Sequence, residues 1–266
     1  EKCVANGEKE LLKIMNKKVV VLGDTHGLDY WKLIVEEENP DLTIFIGDYL
    51  DSFDIPAVEQ LHNLKEIIQF KKDNLDKVIL LIGNHDFHYL KHATNMGEYY
   101  SGFQSSQMFN YQILLEENIH LFQMCFNFDN YLFTHAGISE EWLNRVQISS
   151  TDINVVCDEI NDLFKYKPLH FNFTGTNPYG DSVESSPIWI RPKSLMKDNK
   201  NTFLHKNSIQ IVGHTQQNCI DIKGKSTGGK YYFIDTLRTS GEYLVIRNNE
   251  LIVGTQRDKY ILSKLK

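Results

Sequence analysis

The chain has 266 residues, of which 41% are apolar and 24% charged, with 28 Lys and Arg set against 35 Asp and Glu for a formal charge of −7. That is ordinary soluble globular composition with chain enough for a sizeable core, and the acidic balance supplies no general field drawing the protein to nucleic acid. No apolar run approaches the roughly 18 residues of a membrane span, and the N-terminal EKCVANGEKELLKIMNKK is polar and charged rather than signal-like.

Short apolar runs rich in β-branched residues recur along the chain, at Val19–Leu22, Leu42–Ile46, Val78–Ile82, Tyr131–Thr134, Ile209–Val212, Tyr231–Ile234 and Tyr243–Ile246. Their length and composition predict buried strands. Between the first three lie stretches of helical spacing, Trp31–Glu38 and Pro56–Phe70, the second opening on a proline that a first turn tolerates. Strand, helix, strand, helix, strand predicts parallel βαβ units and an α/β fold. Residues Gly97–Glu117 read as helical, and Ile138–Ser186 mixes helix with a loop holding Gly175, Pro178 and Gly180. In the last third, turn residues at Lys223-Gly224 and Asn248-Asn249 predict antiparallel pairing. One domain over 1–266 is expected, with an N-terminal extension at 1–17 and a helical and loop insertion at 138–186 near the active site. The cysteines Cys3, Cys125, Cys157 and Cys219 are far apart and form no CxxC pair, which reads as reduced thiols in a cytoplasmic protein.

The chemistry stands at the strand ends. Gly23-Asp24-Thr25-His26-Gly27, Gly47-Asp48-Tyr49-Leu50-Asp51 and Gly83-Asn84-His85-Asp86 follow the first three strands, and Thr134-His135-Ala136-Gly137 and Val212-Gly213-His214-Thr215 close two later ones. Ligand sites of open α/β sheets lie at the carboxyl ends of their strands, so parallel strands bring such clusters into one crevice. Alone, Asp24 reads as a helix cap, Asn84 as a turn residue, and His135 or His214 as a core histidine. Capping, however, requires neither a histidine two residues after Asp24 nor an Asn-His-Asp run after a third strand. Asp24, His26, Asp48, Asn84, His135 and His214 form a mixed oxygen and nitrogen shell without thiolate, which suits Mn²⁺, Fe, Zn²⁺ or Ni²⁺. Six protein ligands exceed the needs of one tetrahedral ion, so two divalent ions sharing a carboxylate are expected, as in sites that clamp an in-line displacement.

These motifs resemble those of the calcineurin-like metallophosphoesterase superfamily, whose signature runs GDxH, GDxxD, GNHD/E, a later His, and GHT or GHxH. GDTHG and VGHT look most like its serine/threonine phosphoprotein phosphatase branch, including bacterial and phage members and diadenosine-tetraphosphatase-like enzymes. Ile234-Asp235-Thr236 and the run Pro187-Ile188-Trp189-Ile190-Arg191-Pro192 resemble that branch too. The resemblance implies a sandwich of two mixed sheets flanked by helices, with Mn²⁺ the first choice of metal. It further implies that Asp24 and His26 hold the first ion, Asp48 bridges, and Asn84, His135 and His214 complete the second. His85 would protonate the leaving oxygen, with Asp86 holding its imidazole.

One position departs from the pattern. The branch usually has arginine after the last Asp of GDxxD, where this chain has Ser52, and serine replaces neither its charge nor its fork. Arg191 and Arg238 are the remaining candidates for phosphate contact, beside Asn84, and Asp235 reads as a partner of a ligand histidine. The expected function is a dinuclear-metal phosphoesterase acting by in-line attack of a metal-bridging hydroxide, a serine/threonine-type protein phosphatase or general phosphomonoesterase. The partner is then a phosphorylated substrate, phosphoprotein or nucleotide. The alternative is a hydrolase of dinucleoside polyphosphates or cyclic nucleotides; a non-catalytic scaffold is disfavoured because every ligand position is filled.

Overall fold

The computed structural model describes residues 17–94, 101–176, 179–197, 203–221 and 230–256. The predicted Lys223-Gly224 turn, Tyr99, Tyr100, Pro178, Cys3 and most of the N-terminal extension lie outside these residues. Among the described residues, ten strands form two sheets. The larger runs β10 (Glu250–Thr255), β9 (Glu242–Arg247), β1 (Val19–Leu22), β2 (Leu42–Phe45), β3 (Val78–Leu81) and β4 (Phe122–Gln123); the smaller runs β5 (Phe126–Phe128), β6 (Tyr131–Phe133), β7 (Ile209–Val212) and β8 (Tyr231–Phe233).

The four strands β1 to β4 pair in parallel, while β9 pairs antiparallel with both β1 and β10. Both faces of the larger sheet are covered, which is why β1 is apolar without alternation. Val19 and Val21 face the second sheet, meeting a cluster with Ile44, Phe133, Ile211 and Ile234. Val20 and Leu22 face helices, packing with Trp31, Ile34, Leu64 and Ile67. The helix Trp31–Glu38 has the predicted bounds, and Asn39 closes it in a left-handed conformation. The second helix spans Ala57–Asp73 with Pro56 at its N-cap, and it buries Gln60, Asn63, Leu64, Ile67 and Ile68 along one stripe. Within the predicted helical region 97–117, the described helix is Met108–Glu117.

The smaller sheet corrects the expectation for the C-terminal third. Asn248 and Asn249, both at positive φ, turn β9 into antiparallel β10 as predicted. But β8 pairs parallel to β7. The connection 213–230 is long enough for the crossover that a parallel pair needs, and short-turn reasoning did not reach it.

In the insertion, Ser139 caps the helix Glu140–Arg145 and Asp152 caps Ile153–Tyr166. The second helix turns Val156, Cys157, Ile160 and Phe164 inward. Asn161 docks it by accepting the N–H groups of Met124 and Cys125 and donating to the Cys125 carbonyl. Among the described residues, no helix is long and apolar enough to cross a membrane.

Candidate metal centre

Because β1, β2 and β3 run in register and parallel, their ends deliver Asp24, Asp48 and Asn84 to one edge, and β6 and β7 deliver His135 and His214 there. Three ligand candidates adopt the left-handed region, at φ 41° for His26, 54° for Asp48 and 65° for His214, and Asp51 follows at 66°. Non-glycine residues rarely hold that conformation, and such strain concentrates at functional sites. Two glycines allow the close packing. A Cβ on Gly83 would overlap the Asp48 carboxylate, and one on Gly213 would overlap the Asp24 carboxylate.

The candidates converge on one point. Asp48 Oδ2 lies 3.3 Å from His135 Nε2 and 3.8 Å from His26 Nε2. Asn84 Oδ1 lies 3.1 Å from His135 Nε2 and 2.9 Å from His214 Nδ1. The Asp24 carboxylate accepts the His214 N–H at 3.0 Å. Two sets of three donor atoms, Asp24, His26, Asp48 and Asp48, His135, His214, each fit within 4.8 Å, with Asp48 common to both.

Whether this shell suits a cation is decided by its protons. His26 Nδ1 donates to the Leu50 carbonyl at 2.5 Å, His135 Nδ1 to Ile46 at 3.1 Å, and His214 Nε2 to Trp189 at 3.0 Å. A carbonyl accepts only, so in each neutral ring the other nitrogen carries a bare lone pair, and that nitrogen faces Asp48 or Asn84. Burial lowers the pKa of His26 and holds His214 well below the usual histidine range, which keeps both rings neutral. Carboxylates, an amide oxygen and ring nitrogens with their carbonyl-bonded N–H turned outward thus converge on one point. Burial, then Asp235 and Asp48, raises Asp24 well above the usual carboxylate range, the mark of negative charge packed without a counter-ion. A divalent cation is what this donor set fits.

His85 stands beside the shell, its N–H donating to Asp48 Oδ1 at 2.9 Å. The expected Asp86 support is not its partner. Asp86 instead accepts the backbone N–H groups of Asp48 at 2.7 Å, Tyr49 at 2.9 Å and Gly83 at 3.0 Å, so its carboxylate staples the second loop to the third. The carboxylate that reaches the imidazole is Asp51: its Oδ2 lies 3.0 Å from His85 Nδ1 and 2.7 Å from His88 Nε2, and its Oδ1 accepts the Tyr89 hydroxyl at 2.5 Å. Burial alone would lower His85, but the Asp48, Asp51 and Asp86 carboxylates raise it to about 9. In the metal-free chain it is therefore protonated at neutral pH, the state from which an acid can donate. Sequence reasoning placed Asp51 in its motif but assigned it no partner, and it passed over His88.

Arg191 donates to the Tyr179 carbonyl at 3.1 Å, the His214 carbonyl at 3.4 Å and Thr215 Oγ1 at 3.1 Å. Arg238 donates to Ser52 Oγ at 3.0 Å. Asp235 reads in the sequence as the partner of a ligand histidine, but the outward ring nitrogens of His26, His135 and His214 all donate to backbone carbonyls, and burial with Asp48 raises Asp235 to about 7. Phe103 stacks on Tyr89 against the core cluster.

A fold of two mixed sheets whose strand ends converge on a histidine and carboxylate shell defines the metallophosphoesterase class. The profile of the calcineurin-like phosphoesterase family matches residues 17–218, and the chain belongs to that family, a metal-dependent phosphoester hydrolase. Solved structures with the same fold include a cold-active protein tyrosine phosphatase, at TM-score 0.62 and 21% identity over 91% of this chain and 80% of that one. Another is the cold-active protein-tyrosine phosphatase of a psychrophile, Shewanella sp., at TM-score 0.59 and 20% identity over 91% and 82%. No curated protein matches the chain significantly.

Proposed function

We propose that the chain hydrolyses phosphomonoesters on proteins, with Asp24, His26 and Asp48 holding one divalent ion and Asp48, Asn84, His135 and His214 a second. When bound, such ions supply Lewis acidity that neutralises phosphoryl charge and makes water nucleophilic at neutral pH, and Mn²⁺ is our first choice among them. Asn84, His85 and Arg191 receive the phosphate oxygens. His85 donates a proton to the departing alkoxide, held in place by Asp51 through Nδ1 so that Nε2 carries the transferable proton. Asp86 keeps the second and third loops in register. The observation that carries this reading is the Asp51–His85 pair, because a group protonated at neutral pH beside the ligand shell serves a poor leaving group. The fold relatives are protein tyrosine phosphatases, which favours phosphotyrosine among protein substrates; phosphoserine and phosphothreonine follow from the branch resemblance. The free Cys125, Cys157 and Cys219 support a reducing, cytoplasmic setting.

The test is a panel on metal-reconstituted protein: phosphoserine and phosphotyrosine peptides, a diadenosine polyphosphate, a cyclic nucleotide and an aryl phosphate. Phosphopeptides should be turned over, and His85→Asn should cost about 10²- to 10⁴-fold on phosphoserine but much less on an activated aryl ester. Preference for the nucleotides would transfer the assignment to a nucleotide hydrolase. Full phosphoserine turnover by His85→Asn would remove the acid role.

A further inference from the structure

The segment after β8 brings another cation to the strand ends. Tyr30 donates its hydroxyl to the Leu237 carbonyl, tying this segment to the turn that follows Asp24 and His26. Next in the chain, Arg238 reaches across with Nη2 to Ser52 Oγ at 3.0 Å and to Asp54 Oδ2 at 2.6 Å. Ser52 is buried and directly follows Asp51, the partner of His85.

The two contacts differ in kind. Ser52 is fixed: its Oγ accepts the N–H groups of Asp54 at 3.3 Å and Ile55 at 3.2 Å, its N–H donates to Gln60 Oε1 at 3.0 Å, and its carbonyl accepts from Gln60 Nε2 at 3.2 Å. Gln60 is itself fully buried on the helix Ala57–Asp73. Asp54 is 77% exposed, against 27% for Arg238. An ion pair with so open a partner contributes little and exchanges readily. Arg191 brings its guanidinium to the same region through Thr215 and His214, and both arginines, with Asp48, act on the buried Asp235 carboxyl.

We propose that Arg238 is a phosphate-binding residue with Asp54 as its resting partner, and that a substrate phosphate takes Asp54's place on the guanidinium while Ser52 keeps it aimed at the site. A phosphate oxygen among Asn84, His85 and Arg191 offers more charge than a solvated carboxylate, and the guanidinium fork matches it bidentately. The proposal rests on the phosphoesterase reading only in requiring a phosphate there.

The test is calorimetric titration of inorganic phosphate into the metal-loaded protein and its Arg238→Ala, Arg238→Lys and Asp54→Asn variants, each checked for an unchanged melting profile. Arg238→Ala should weaken binding roughly 10- to 100-fold, the range of a charge-assisted hydrogen bond, and Arg238→Lys should recover part of it. Asp54→Asn, a change at an exposed side chain, should tighten binding by up to about fivefold. Phosphate binding within twofold of wild type in both Arg238 variants, or weaker binding in Asp54→Asn, would overturn the proposal. If the wild type binds phosphate but hydrolyses no phosphomonoester, the hydrolase reading fails while the binding series still decides Arg238.

Discussion

At the scale of single residues, the division of labour between Asp51 and Asp86 is the most informative feature. Both are buried acids beside His85, yet one touches its imidazole and the other touches only backbone N–H groups. Asp51→Asn should therefore lower turnover on phosphoserine by about 10²-fold, because an amide neither stabilises the imidazolium nor fixes its tautomer as a carboxylate does. Metal content should stay near wild type, and combining the change with His85→Asn should cost little more than either alone. Additive losses would mean that the two residues act separately. Asp86→Ala should behave differently, losing thermal stability and metal together, since three buried N–H groups would lose their acceptor. The convergence of the ligand candidates was legible in the sequence because each follows a strand and is of a type that metal chemistry uses. The Asp51 contact was not, since it joins residues 34 apart and depends on a left-handed turn at Asp51 that no local pattern announces.

At the scale of elements, strand ends and glycines make the site. The early strands were readable because both of their faces are buried, so each appears as an unbroken apolar run flanked by helical spacing. The parallel pairing of β8 was not readable, because its partner is chosen by the sandwich core and not by neighbouring turn residues. The glycines lead to a sharp expectation. Gly213→Ala should collapse metal affinity, because the added methyl group meets the Asp24 carboxylate on one side and Ile46 on the other. Substituting Gly180, which also packs closely but against the Trp189 carbonyl, should spare the Asp24 side of the centre. Metal retention by mass spectrometry distinguishes these outcomes, and wild-type retention in Gly213→Ala would show that the Asp24 carboxylate does not need that space.

At the scale of the whole molecule, the centre couples metal, protons and stability. Burial, then Asp48, raises Asp235 to about 7, and Asp24 is raised by burial and by both of these acids. A carboxyl with a raised folded pKa binds its proton more tightly when folded. It therefore stabilises the metal-free protein below the unfolded value of about 4 and loses that stabilisation as pH climbs towards the folded value. Bound cations replace the protons. The rise in Tm on adding Mn²⁺ should consequently be larger at pH 7.5 than at pH 5.5, with protons released on binding. An equal or smaller rise at the higher pH would mean that these acids do not face the metal.

The central claim is that five loops from two sheets build one centre for two ions, with Asp48 shared between them. Inductively coupled plasma mass spectrometry of Mn²⁺-saturated, gel-filtered protein tests it most directly. The wild type should retain about two ions per chain and Asp48→Asn fewer than about one. A wild type that retains none, or an Asp48→Asn variant that still holds two, would contradict it.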